Sequence, residues 1–219
     1  MSETLYRDTQ RALQDRFNTR KLADTVSSVI VHKELTDEDK GFIATRDFFF
    51  LSSVNADGWP TVSYKGGPPG LVRPIDDTTL VFPSYDGNGM FLSMGNIAAS
   101  HRIGMLFIDF ETPHRMRIQA TAELSEDTEL LAAFPGAELV VKARIDEIFI
   151  NCPRYIHRMS RLDTSKYVPD QKGNAPLPAW KRIDAIQDSL SIEEQGRAAA
   201  EGGLITPEQY EELVRSGKG

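Results

Sequence analysis

Pro60-Thr-Val-Ser-Tyr-Lys-Gly-Gly-Pro-Pro-Gly70 is the stretch from which the fold is inferred, because an alternating strand pattern ends there in a lysine followed by glycines and prolines. In a pleated strand, Val62 and Tyr64 share one face, and Ser63 and Lys65 share the other. The glycines allow the backbone to approach a ligand, and the prolines stiffen the exit from the strand. The pattern fits an anion site, and it also fits an ordinary strand end with a solvated lysine.

The composition limits the classes of protein that need to be considered. The 219 residues suffice for one domain with additional helices. They include 25 Lys+Arg and 32 Asp+Glu, which gives a formal charge of −7. The sequence has no stripe of basic residues interleaved with aromatic residues, so we expect no nucleic-acid partner. The first residues lack a signal-peptide pattern and no run approaches the ~20 apolar residues of a membrane span, which predicts a soluble, cytoplasmic protein without membrane binding. The single Cys152 excludes an intrachain disulfide.

Residues 1–46 are expected to form an N-terminal helical extension. The helical spacing of apolar residues predicts one or two amphipathic helices between Ser2 and Val31. Thr36 is followed by three acidic residues, which indicates the N-cap of a short helix that ends near Arg46.

Residues 47–164 are expected to form a β-domain. Asp47–Val54 and the strand that ends at Lys65 predict a hairpin across Asn55-Ala-Asp-Gly58. Further strands are predicted at residues 71–75, 78–82, 103–109, 114–124 and 138–150, with short helices at 91–99 and from Ser125. This order predicts a mainly β fold of six or seven antiparallel strands with peripheral helices.

Residues 165–219 are expected to form a linker and C-terminal helices. The linker contains prolines and lysines and extends to about Pro178. An amphipathic helix is predicted to begin near Ala179-Trp180. Thr206-Pro207 predicts the start of a terminal helix, because proline is favoured at the first helical position.

Several familiar motifs of binding and catalysis are absent from the sequence. There is no P-loop, Gly87-Asn-Gly89 lacks the third glycine of a dinucleotide fingerprint, and Asp86-Gly-Asn-Gly-Met90 has a methionine where a calcium loop needs an oxygen ligand. Cys152 precedes a proline and no Gly-x-Ser-x-Gly occurs, so no catalytic residue is assigned. No metal site is expected, because metal-ligand spacing is absent among His32, His101, His114 and His157.

The remaining polar and basic residues are typical of a phosphate site. Ser63 and Lys65 end one strand, the Asn88-Gly89 loop precedes a helix, and Arg115 and Arg117 share a face of a later strand. Amides at a helix N-terminus bind phosphate, and flanking cations add charge-assisted hydrogen bonds. We therefore expect these residues together to surround one phosphate, with a solvated strand face as the alternative for the two arginines.

From about Phe48 to Arg158, the order of these segments resembles the pyridoxamine 5′-phosphate oxidase-like FMN-binding split barrels. Val62-Ser-Tyr-Lys65 with the Gly-Pro turn after it is similar to the first flavin-binding strand of that family. The other segments that carry the likeness are Thr79-Leu-Val-Phe-Pro83, Gly87-Asn88, Asn96-Ile97, Arg115-Met-Arg-Ile-Gln-Ala-Thr-Ala122, and Asn151-Cys-Pro-Arg154 with Arg158.

The resemblance implies a Greek-key split β-barrel, a homodimer, and FMN held in the groove between the subunits. Gly89-Met90 stands where oxidases of the family have basic phosphate-loop residues, and Pro60 stands where they have an arginine. Their pyridoxamine phosphate-binding residues are not recognisable, so that substrate is not assigned. The phosphate-site pattern and the resemblance together give the expected cofactor-binding residues, which are Val62, Ser63, Tyr64, Lys65, Pro83, Ser84, Asn88, Gly89, Met90, Asn96, Arg115, Arg117 and Arg158.

These features predict an FMN-dependent oxidoreductase. It would transfer hydride between the bound flavin and either a nicotinamide, NADH or NADPH, or a small organic substrate. The alternative is a non-catalytic flavin-binding or carrier protein, and a small barrel that binds another anion is the third possibility.

Overall fold

The computed structural model describes residues 5–219, which divide into two compact units, one ending at Ser160 and the other spanning Arg161–Gly219. The strands are β1 (Val31–His32), β2 (Phe48–Val54), β3 (Pro60–Gly66), β4 (Arg73–Pro74), β5 (Thr79–Tyr85), β6 (Arg102–Asp109), β7 (His114–Ser125) and β8 (Ala137–Asn151). The α-helices are α1 (Asp8–Arg16), α2 (Arg20–Ile30), α3 (Asp37–Ala44), α4 (Leu92–Ser100), α5 (Thr128–Ala132), α6 (Ile192–Ala200) and α7 (Pro207–Arg215).

The first unit is built on one antiparallel sheet of eight strands. The strand order is β3-β2-β6-β7-β8-β5-β4, and β1 pairs with the second half of β8. The two ends of this order, β3 and β4, do not pair with each other, so the barrel stays split. The α-helices of the described chain contain as many residues as its strands, so the fold is mixed α/β, and the expectation of a mainly β chain is corrected.

Strand alternation separates the buried face of the sheet from its outer face. In β2, Phe49 and Leu51 are buried, whereas Phe48 and Phe50 on the outer face are only half-buried. The buried face encloses one core, in which Phe49 packs edge-on against Phe82 at a centroid distance of 5.1 Å. The outer face therefore keeps part of its apolar side chains accessible, whereas the other face is taken up by the core.

Local capping and turn signals account for several of the element boundaries. Thr36 caps α3 in a capping box with Asp39, and Asn55 closes the β2–β3 hairpin, as predicted. The predicted N-terminal helices are α1 and α2; residues 2–4 of that prediction lie outside the described residues. The helix expected from Ser125 begins later, because Asp127 and not Ser125 is its N-cap.

The second unit contains short helices and a turn. Near Ala179, where an amphipathic α-helix was expected, two short 3₁₀-helices occur, Ala179–Arg182 and Asp184–Ser189, and α6 follows them. Helix α7 begins at Pro207 with Thr206 as its N-cap, as predicted. None of the helices in residues 5–219 is long and apolar enough to cross a membrane.

Candidate functional site

A cleft of about 240 Å³ opens between the end of β3, the end of β5 and the start of α4. It brings together five of the residues predicted from the sequence, Ser63, Lys65, Ser84, Asn88 and Gly89. The other lining residues are Tyr85, Gly87, Phe91, Leu92, Ser93, Met94 and Glu138. The strand lysine, the loop and the helix start that were predicted to lie together therefore do so.

Lys65 is the cation of this cleft. It lies opposite Phe49 in the β2–β3 pair, so its side chain is on the core-facing side of the sheet and is half-buried. Burial lowers the pKa of Lys65, because it removes water from the ammonium group. No residue in the described part of the chain forms an ion pair or a side-chain hydrogen bond with it. A partly desolvated cation of this kind is stabilised by an anion that enters the cleft.

The N-terminus of α4 supplies hydrogen-bond donors to the same cleft. Its N-cap residue, Phe91, has a left-handed backbone (φ 48°), and no side chain caps the helix. Such a conformation is rare for a large side chain and concentrates at functional sites. The first amides of a helix have no partner within the helix, and the first residues of α4 line the cleft, so these amides are available there as donors for an anion. A hydroxyl–hydroxyl hydrogen bond of 3.1 Å between Ser63 and Ser93 joins β3 to this first turn.

Gly67 lets β3 leave the sheet at the edge of the cleft. A Cβ atom at this position would lie 2.5 Å from Leu71 Cδ1 and 3.5 Å from Tyr85 Cε2. The contact with Leu71 is shorter than a Cβ atom tolerates, so a larger residue would displace the end of that side chain, whereas the contact with Tyr85 is an ordinary one. Gly67 was predicted to let the backbone approach a ligand. In the structure, the backbone at Gly67 approaches Leu71 and Tyr85 of the protein itself.

Asn96 was predicted to bind the cofactor, and the structure places it within α4, with its side chain towards the sheet and outside the cleft lining. Its amide donates to the hydroxyls of Ser53 (3.0 Å) and Thr61 (3.3 Å), which are hydrogen-bonded to each other at 2.9 Å. Ser53 is buried, and buried polar groups need such partners. In this chain Asn96 anchors α4 to the β2–β3 hairpin.

The two arginines of β7 do not reach the cleft of their own chain. Strands β2 and β6 separate β7 from β3, and Arg117 lies opposite Leu106 and Phe149 on the outer face of the sheet. Arg115 shares that face, and Lys65 lies on the other. The arginines and Lys65 therefore do not meet within one chain, because adjacency along the sheet depends on strand order, and the expectation that they surround one phosphate stays a prediction.

The outer face also carries two other residues of the predicted set. Val62 and Tyr64 are 69% and 62% exposed there, and Tyr64 stacks on Phe48 with a centroid distance of 5.4 Å. Arg115 Nε is buried without a hydrogen-bond partner, and so is Oδ1 of Asn151, its neighbour across the β7–β8 pair. Both atoms therefore lack the hydrogen-bond partner that buried polar atoms usually have.

Three predicted residues are not among those that line the cleft, although the amide of Met90 donates to Asn88 Oδ1. Pro83 is buried in β5, and Met90 is exposed in the loop before α4. Arg158 follows β8, where its Nε donates to the backbone oxygen of Glu111 at 3.1 Å. None of the three lines the cleft.

The sequence reasoning missed several cleft residues. Ser93 could have been found, because it occupies the first turn of the predicted helix at 91–99. Tyr85 follows Ser84 at a β-bulge in the β5–β8 pairing, and a bulge redirects a side chain in a way that sequence does not show. Glu138 comes from β8, and only the pairing of β5 with β8 brings it to the cleft.

Residues 5–219 contain no cluster of potential metal ligands. No group of three or more His, Cys, Asp or Glu side chains lies close enough there to hold an ion. Cys152 is a free, exposed thiol.

Several solved structures align with about half of this chain. HupZ from Group A Streptococcus is 22% identical and covers 57% of this chain and 99% of its own, with a TM-score of 0.46. A putative pyridoxamine 5′-phosphate oxidase from Lactobacillus delbrueckii is 28% identical over 54% and 95% of the two chains (TM-score 0.44). HutZ, the heme storage protein from Vibrio cholerae, is 18% identical over 53% and 94% (TM-score 0.40). None of the curated proteins compared with the chain matches it.

The family model for pyridoxamine 5′-phosphate oxidase matches residues 35–152. These residues run from just before α3 to just after β8 and contain the whole cleft. Because the match covers more than half of the chain, the protein belongs to the pyridoxamine 5′-phosphate oxidase family.

Proposed function

We propose that the cleft beside Lys65 binds the phosphate of FMN and that the protein is an FMN-dependent oxidoreductase. The observation that carries the proposal is Lys65 itself, a half-buried cation without an anionic partner among the described residues. The uncapped α4 N-terminus and the Ser63 hydroxyl lie in the same cleft and add donors for phosphate oxygens. Family membership supports the choice of a flavin, and the cleft supports the phosphate.

The size of the cleft indicates that it takes only part of the cofactor. Pockets for small molecules usually enclose ~300–1,000 Å³, whereas this cleft encloses about 240 Å³. The flavin ring would therefore lie outside it, against a surface that one chain alone does not provide.

A second copy of the chain is the partner that we propose for that surface. The outer face carries exposed Tyr64 and Val62 and the two arginines of β7, which are out of reach of the cleft of their own chain. In a two-fold dimer each subunit presents this face to the other, so Arg115 and Arg117 become available to the partner's cofactor. The homodimer with FMN between its subunits is thus part of the proposal.

Bound FMN would supply the hydride chemistry. The chain's own residues would hold the phosphate through Lys65, Ser63 and the α4 amides, and the outer face would exclude water from one side of the ring. NADH, NADPH or a small organic molecule is the proposed hydride partner. A flavin carrier without turnover is the competing function, since this scheme requires no catalytic side chain.

Flavin titration and nicotinamide reduction test these proposals in order. We expect the purified protein to be yellow and to release FMN, not FAD, on denaturation. When NADH or NADPH is added to the FMN-loaded protein in the absence of oxygen, we expect the visible absorbance of the oxidised flavin to disappear. Protein that is colourless and takes up no added FMN contradicts the flavin assignment. FMN that binds but stays oxidised with both nicotinamides and with small organic donors favours the carrier.

A further inference from the structure

Helix α4 is joined to the β2–β3 hairpin by three polar side chains, which we call the Asn96 network. Asn96 Nδ2 donates to Ser53 Oγ at 3.0 Å and to Thr61 Oγ1 at 3.3 Å, and the two hydroxyl oxygens are 2.9 Å apart. Ser53 lies directly opposite Thr61 in the β2–β3 pair and is 1% exposed. None of the three residues lines the cleft. The network can therefore affect a ligand in the cleft only through the elements that it joins.

The Asn96 network is the first of two polar contacts between α4 and β3. Ser93, about one turn before Asn96 on the same side of the helix, is hydrogen-bonded to Ser63 at 3.1 Å. Ser63 follows Thr61 on the same face of β3. A step of two residues along β3 is thus matched by about one turn of α4, and the two elements run in opposite directions.

The next step of this pattern reaches the cleft. Lys65 is the next residue on that face of β3, and one further turn back along α4 passes its first residue, Leu92. There the helix offers amides that have no partner within the helix, and no described residue pairs with Lys65. A phosphate between Lys65 and these amides would be the third contact in a row whose first two contacts the chain itself forms.

Both ends of α4 have an unfavourable backbone conformation. Phe91, the N-cap, and His101, the C-cap, are left-handed, with φ of 48° and 57°. Residues other than glycine keep this conformation only where surrounding contacts hold it. At the C-terminal end, the amide of Ala122 donates to His101 O at 2.7 Å. Met94 and Ile97 pack α4 on the core, whereas the hydrogen bonds of the Asn96 network are directional and fix the helix along β3.

We propose that Asn96 is a positioning residue of the phosphate site. It holds α4 in register with β3, so that the first amides of the helix stay opposite Lys65 with room for one phosphate between them. This inference rests on the proposed FMN site and adds Asn96, Ser53 and Thr61 to it as residues that touch no ligand. The alternative is the direct contact between Asn96 and the cofactor that the sequence predicts.

Titration of FMN and riboflavin into ligand-free Asn96→Ala is the first test. Charge-assisted hydrogen bonds depend on geometry, so we expect FMN to bind roughly tenfold more weakly, and riboflavin, which has no phosphate, to change less than about threefold. Ser100→Ala is the matched control, because Ser100 is also a half-buried polar residue of α4, but its hydroxyl donates within the helix, to Asn96 O at 2.9 Å. The control should change FMN affinity less than about twofold. Equal losses in the two variants, or equal losses of FMN and riboflavin in Asn96→Ala, overturn the proposal.

A double substitution separates positioning from direct contact. Ser53→Ala removes the nearer acceptor of Asn96, and because Ser53 is buried outside the cleft lining, it acts on FMN only through the network. We expect FMN to bind about fivefold more weakly to Ser53→Ala. The double variant with Asn96→Ala should bind FMN no more than about twofold more weakly than Asn96→Ala alone, because both changes break one network. Losses that multiply, or wild-type affinity in Ser53→Ala, contradict the proposal.

Hydrogen exchange of the ligand-free protein gives a readout that does not depend on the flavin. The amides of residues 95–100 should exchange at least about fivefold faster in Asn96→Ala than in Ser100→Ala. A wild type that binds no FMN, together with this difference, contradicts only the proposed function, because the network then still holds α4. FMN binding by the wild type with equal exchange in the two variants contradicts only this inference.

Discussion

Replacement of Lys65 by alanine tests the phosphate site most directly. The lysine is the only cation among the residues that line the cleft, and no described residue pairs with it. A hydrogen bond to a charged group contributes roughly 1.5–3 kcal/mol, and each 1.4 kcal/mol corresponds to tenfold in affinity. We therefore expect FMN to bind about ten- to a hundredfold more weakly to Lys65→Ala.

The same substitution should have little effect on the stability of the protein without ligand. Burial lowers the pKa of Lys65, so the folded state disfavours the charged form. This penalty is fully present below the lowered pKa and disappears as the pH rises towards the unfolded value near 10.5. At pH 7 the variant removes the penalty and also removes the packing of the aliphatic stem, and these two effects oppose each other.

Isothermal titration of FMN and riboflavin into ligand-free wild type and variant decides the assignment. Riboflavin lacks the phosphate, so its affinity should change less than about threefold. Lys142→Ala is the matched control, because Lys142 is also half-buried but lies on the outer face, 4.0 Å from Glu123. If FMN and riboflavin weaken equally in Lys65→Ala, the lysine acts on the ring or on the fold, and the phosphate assignment is refuted.

Two further substitutions test how the units are stabilised. Hydrogen bonds from Lys181 and Ser191 lower the pKa of Glu194 to about 2, so its contribution to stability is present above pH 4.5 and is lost as the pH falls towards 2. Glu194→Gln leaves the ammonium group of Lys181, which is 3% exposed, without that carboxylate, and it should destabilise the second unit by about 2 kcal/mol at pH 7. Hydrogen exchange in α6 should then be faster than in the wild type, and its rate should lose the dependence on acidic pH that Glu194 causes. Gly67→Ala should lower the free energy of unfolding by about 1–3 kcal/mol, because its methyl group overlaps core side chains. Gly87→Ala, which meets no atom within 4 Å, should stay within about 0.5 kcal/mol in the same urea titration, and equal effects of the two would show that the close approach is not the cause.

Much of the candidate site could be predicted because its residues are close together in the sequence. Ser63 and Lys65 share a face through strand alternation alone, and the Asn88-Gly89 loop leads directly into α4. Glu138 could not be predicted in this way, because it enters the cleft only through the pairing of β8 with β5, which lies more than 50 residues earlier in the chain.

The sequence by itself determined the elements of the fold and the face that each side chain takes within its own strand. Capping at Thr36 and Thr206 and the β2–β3 turn depend on atoms a few residues apart, so local chemistry specifies them. Only the tertiary structure decided which strands are neighbours and where each face leads. Strand order left two strands between β3 and the strand that carries Arg115 and Arg117, and the register put these arginines on the face opposite Lys65, because the pairing of distant strands depends on the burial of the whole core and not on any local pattern.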